Sequence, residues 1–112
     1  MATLKAQTEH LIRRARQTGI DQRWDLSKGA RVSVRIVGGV ITLAFARIRQ
    51  PLGDRELVTF RAHCQIPEGA TRLPAEGQWE RQDAEGRTWH QVAYCWRDPE
   101  AVAAPVAEEA AA

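Results

Sequence analysis

Arg31-Val32-Ser33-Val34-Arg35-Ile36-Val37-Gly38-Gly39-Val40-Ile41-Thr42-Leu43-Ala44-Phe45-Ala46 is the stretch that decides the fold. Val32, Val34 and Ile36 alternate with Arg31, Ser33 and Arg35; Ile41, Leu43 and Phe45 alternate with Thr42, Ala44 and Ala46. A period of two belongs to strands with one face buried. Gly38-Gly39 supplies both positive-φ residues of a type I′ turn, so the two strands form a hairpin. A two-residue loop sets Val37 opposite Val40, and counting outward pairs Ile36 with Ile41, Val34 with Leu43 and Val32 with Phe45. All six of those inner apolar side chains then share one face. The opposite face collects Arg31, Ser33, Arg35, Thr42, Ala44 and Ala46.

Upstream, Thr3 is placed as a helix N-cap and Gly19 as the left-handed residue beyond the C-terminus, which predicts a helix over residues 3–18. Leu4, Leu11, Ile12 and Ala15 form its narrow apolar stripe, while Arg13, Arg14 and Arg16 crowd its last turn, where cations complement the helix dipole. Asp21 to Gly29 reads as a connector carrying Trp24 and Leu26. Downstream, Pro51 and Gly53 mark a turn. Val58, Phe60, Ala62, Cys64 and Ile66 share one parity, which predicts a third strand over about 56–66 with Arg61 and His63 on its open side. A long connection, 67–78, leads to a short strand at Trp79 to Gln82. Asp83 to Gly86 has the order of a type I turn closed by a left-handed glycine, and a last strand, Arg87 to Trp96, carries Trp89, Val92, Tyr94 and Trp96.

The expected architecture is α+β: an N-terminal helix packed on one face of a four- to five-stranded, mainly antiparallel sheet, the other face wet. Residues 1–98 are expected to form one domain and 99–112 a flexible Ala/Pro/Glu-rich tail. The chain has 112 residues, 44% hydrophobic and 27% charged, which fits one such domain and excludes both a large multidomain enzyme and a fully disordered chain. The longest mainly apolar run, Val37 to Ala46, falls far short of the roughly 20 residues that span a bilayer. Residues 1–10 carry no apolar signal core, so a cytoplasmic location and no membrane partner are expected.

Charge is unevenly placed. Residues 1–49 hold ten basic and three acidic side chains, a net of +7; residues 50–112 hold six basic and eleven acidic, a net of −5. The total of +2 therefore hides a polar distribution suited to a polyanion. No Walker loop, zinc-ribbon pair, HExxH or GxSxG occurs, and no resemblance to a known family emerges. His63, Cys64, His90 and Cys95 are the right types for zinc, but adjacent or odd-spaced strand residues point to opposite faces and do not converge. No metal, cofactor or catalytic group is expected, and Cys64 is expected to be a buried hydrophobe.

The wet sheet face is the expected working surface. Arg31, Arg35, Arg61 and His63, with Arg13, Arg14 and Arg16 at the helix end, are expected to contact the phosphates of DNA or RNA. Trp89 and Trp96 are expected to stack on bases or anchor a partner. The leading expectation is a small non-catalytic nucleic-acid-binding protein. The alternative is a protein-binding inhibitor or regulator, such as an anti-defence protein of a mobile element, that meets a protein partner through an aromatic and arginine surface. The sequence leaves the oligomeric state open.

Overall fold

The structure, a computed structural model, describes residues 3–26, 29–48, 52–73 and 79–100. Its elements run α1 (Leu4–Thr18), β1 (Gln22–Leu26), β2 (Ala30–Val37), β3 (Val40–Ile48), α2 (Asp54–His63), β4 (Thr71–Leu73), β5 (Trp79–Gln82) and β6 (Thr88–Arg97). The strands form one sheet in the order β1-β2-β3-β6-β4, with β5 also paired to β6. Every one of these pairings is antiparallel. The α+β architecture with an N-terminal helix is thus present.

The hairpin has the expected register, with Val37 opposite Val40, Val34 opposite Leu43 and Val32 opposite Phe45. Both turn glycines have positive φ, 59° at Gly38 and 77° at Gly39, as a type I′ turn requires. β6 continues the same parity, placing Val92 beside Phe45, Tyr94 beside Leu43 and Trp96 beside Ile41. Val32, Val34, Ile41, Leu43 and Val92 are fully buried under the two helices. Removing a side chain such as Leu43 would cost about 2–5 kcal/mol, through lost burial and the cavity left behind.

α1 begins where expected. The Thr3 hydroxyl accepts from the Ala6 N–H at 3.1 Å, and Gly19 (φ 69°) ends the helix by donating to the Ala15 carbonyl. Thr8, Leu11 and Ala15 form its buried stripe.

The third strand expected over 56–66 is instead a helix, α2. Leu57, Phe60 and Cys64 recur at helical spacing and all enter the core, where Phe60 meets Phe45 at 5.0 Å and Tyr94 at 6.3 Å between ring centroids. Glu56, at the third helical position, accepts from the Gly53 N–H at 3.0 Å, so the first turn is capped. Arg47 of β3 pairs with the same carboxylate, fastening α2 to the sheet. β6, not residues 56–66, takes the place beside β3.

Two further strands were not expected: β1, within the supposed connector, and β4, within the long 67–78 connection. β5 and β6 stand where the sequence placed strands, and Gly86 between them has φ 81°. Of the tail expected over 99–112, Pro99 and Glu100 are described and exposed; residues 101–112 lie outside the described residues. Among the described residues no helix is long and apolar enough to cross a membrane.

Candidate functional site

Both helices cover one sheet face, so the other is left to its own side chains. Parity and register order that face into rows that cross the strands. The middle row runs Arg23, Ser33, Ala44, Ala93 and Leu73; on one side stand Asp25, Arg31, Ala46 and Gln91, and on the other Arg35, Thr42, Cys95 and Thr71. Small residues form a buried floor: Ala44 and Ala93 in the middle row and Ala46 in the row beside it. The result is a shallow trough crossing the sheet. The two flanking rows are four residues apart along each strand, or about 13 Å at about 3.4 Å per residue.

Two adjoining clefts make up the trough. One is lined by Arg23, Arg31, Arg81, Asp83 and Trp89, the other by Asp21, Arg35, Thr42 and Ala93; Ser33, Arg81 and Gln91 border both. Four arginines from β1, β2 and β5 therefore converge on one floor. Arg31 Nε donates to Asp25 Oδ1 at 2.7 Å, and Arg35 to Asp21 Oδ2 at 3.0 Å. Arg23 lies 3.7 Å from Asp25 Oδ2, and Arg81 makes no ion pair among the described residues. Counting Asp21, Asp25 and Asp83 against these four arginines leaves the trough with one positive charge in excess. The Arg31 hydrogen bond holds the Asp25 carboxyl below the usual carboxylate range, so Asp25 stays ionised as a partner.

Trp89 is one wall. Its indole N–H donates to Asp83 Oδ2 at 3.0 Å, and the Arg31 guanidinium lies over the ring, 4.6 Å from the centroid. Asp83 also accepts from the N–H groups of Glu85 and Arg87 at 2.9 Å each and from Arg87 Nε at 2.8 Å. With the Trp89 bond first among them, these contacts push its pKa far below the carboxylate range. The turn is thus a fixed bracket for the Trp89 ring, and through that ring for Arg31.

The structure brings only part of the expected residue set together. Arg31, Arg35 and Trp89 share the trough. Arg61 and His63 do not join them, because residues 54–63 are helical and lie on the opposite side of the sheet. Arg61 covers the Tyr94 ring at 5.4 Å, and His63 borders a cleft between α1 and α2 with Leu4, Phe45 and Phe60. Arg13 and Arg14 are exposed on α1, also away from the trough. Arg16 is bound to Asp98 and Glu100. Trp96 is partly buried on the core side, beside Ile41, and Trp89, nearly buried beneath Arg31, is a wall rather than an open stacking platform.

Sequence reasoning missed Arg23 and Arg81. For Arg23 a signal existed: Trp24 and Leu26 alternate with Arg23 and Asp25, a strand pattern hidden by its brevity. Arg81 could be placed only by knowing that β5 pairs with β6.

His63 is exposed on α2, and Cys64 is buried with its Sγ 3.4 Å from the Thr8 hydroxyl. His90 and Cys95 occupy opposite faces of β6. Among the described residues no three His, Cys, Asp or Glu side chains gather around a common point. Comparison with protein-family models, with curated proteins and with solved structures finds no match for this chain.

Proposed function

We propose that this chain is a small non-catalytic protein that binds the phosphate backbone of single-stranded nucleic acid along the open sheet face. The observation that carries the reading is the convergence of Arg23, Arg31, Arg35 and Arg81 over a floor of serine and alanines. Guanidinium forks suit phosphate oxygens, and small floor residues let a backbone come close. A trough of about 13 Å between flanking rows matches one strand rather than a duplex. Arg81, without an acidic partner among the described residues, is the first-ranked phosphate contact; Arg31, held by Asp25 and Trp89, is the best oriented.

Fluorescence anisotropy with labelled single- and double-stranded oligonucleotides tests the reading. Binding should prefer the single strand and weaken with salt, with a log–log slope of up to about −3 if four phosphates are neutralised. Charge reversal at Arg31, Arg35 and Arg81 together should abolish it. No binding at low salt overturns the reading in favour of the protein-partner class.

A further inference from the structure

We propose that β1 pairs with β1 of a second copy of this chain, antiparallel about a two-fold axis through Trp24, so that two sheets join edge to edge. Among the described residues β1 is the end strand of the sheet, bonded to β2 alone. Hydrogen-bonded and non-bonded pairs alternate outward from the Gly38-Gly39 turn. Val37 and Val40 close the turn, so Arg35, Ser33 and Arg31 bond to β3, and Val34, Val32 and Ala30 bond to β1. Their partners Gln22, Trp24 and Leu26 thus turn their main-chain groups inward. Arg23 and Asp25 turn theirs outward, to an edge beside which none of the described residues forms a strand.

Within Gln22–Leu26 the strand is complementary to itself in one register. With the axis at Trp24, Arg23 faces the partner's Asp25 and Asp25 faces the partner's Arg23. Four main-chain hydrogen bonds and two opposite-charge pairs form together. Centring on Arg23 would instead oppose Asp21 to the partner's Asp25, two like charges. Asp25 is prepared for the exchange: Oδ1 is taken by Arg31 at 2.7 Å, while Oδ2 lies 3.7 Å from its own Arg23, beyond hydrogen-bonding distance. Each Asp25 would then sit between Arg31 of its own chain and the partner's Arg23. Trp24, at a non-bonded pair, would meet the partner's Trp24 on the helix side, where such pairs approach most closely. An interface this short is small, so the association is reversible and weak. The inference does not depend on the nucleic-acid reading, because its readout is mass.

Sedimentation velocity of the full chain from about 1 µM to about 1 mM covers the affinities expected of such an interface. The mass should move from the 12.5 kDa of one chain towards twice that value. Arg23→Asp and Asp25→Arg should each remain at the single-chain mass. Mixed together they should associate, since the two acids of one chain then face the two bases of the other. Asp25→Pro, which removes an outward N–H and spares the β1–β2 ladder, should keep its circular dichroism and lose the dimer. A wild-type chain that stays at the single mass throughout overturns the proposal. So does a dimer that survives these substitutions, or a mixture that does not associate.

Discussion

Arg16 on α1 holds Asp98, just past β6, through two hydrogen bonds of 2.9 and 2.7 Å. The carboxylate is almost fully buried, and the Asp98 N–H donates to the Gly39 carbonyl at 2.8 Å. One residue therefore ties together the first helix, the hairpin turn and the end of the central strand.

Breaking that pair should be costly. Asp98→Asn leaves Arg16 with only the exposed Glu100 as its charge partner, and a loss of about 2 kcal/mol is expected, below the 3–5 kcal/mol of a fully buried pair because Arg16 is partly exposed. Urea unfolding measures it. The pH dependence follows from the Arg16 hydrogen bond, which lowers the Asp98 pKa. A depressed carboxylate stabilises the fold above its unfolded value and loses that contribution as pH falls through the folded value. Wild-type stability should therefore drop on acidification below about pH 4, and the Asp98→Asn variant should drop less steeply.

Gly29 should not accept alanine. Its φ is +72°, and an added Cβ would lie 2.5 Å from Ile48 Cγ1 and 2.6 Å from Cδ1. Backbone strain and the clash together should cost about 2–3 kcal/mol. Gly86, at φ +81° with open space around it, is the control. There only the backbone term of about 1 kcal/mol applies, so thermal unfolding should separate the two variants.

Cys64 should be slow towards thiol reagents. Burial pushes its pKa up, against a smaller opposing effect of the Thr8 hydroxyl, and the thiolate is the reactive form. Cys95 is only half-buried on the trough side. Titration with a chromogenic disulfide should find one faster thiol in the native protein and two equal ones in denaturant.

Arg35→Ala separates binding from stability. Its pair with Asp21 is exposed on both sides, so removal should change unfolding free energy by less than about 1 kcal/mol. Single-strand affinity should fall, and the salt slope should shrink by about 0.7.

The hairpin was legible in the sequence because one face of each strand is core and the other polar, which writes the period directly into residues 31–46. α2 was not. In residues 56–66 alternate positions are apolar, yet Leu57, Phe60 and Cys64 also fit a helix, and eleven residues do not separate the two periods. The Gly53–Glu56 cap was the local signal for the helix. What excludes a strand there is non-local: β6 occupies the edge of β3. The same dependence explains the site. Arg31 and Arg35 came from hairpin parity alone, whereas Arg61 and His63 moved to the other side of the sheet with the change of element. Arg81 joined the trough only through a pairing with β6.

The position of β6 also bears on how the chain acquires its shape. β1, β2 and β3 are contiguous and can zip locally. The second edge of β3, Val40–Ile48, waits for a strand about forty residues further on, a closure whose entropy must be met before its contacts form. Until then an apolar ribbon with an unpaired edge is exposed, the kind of transient species that self-associates. Refolding yield should therefore fall with protein concentration, and a truncation of the chain before Thr88 should leave that ribbon unpaired and lower the yield further.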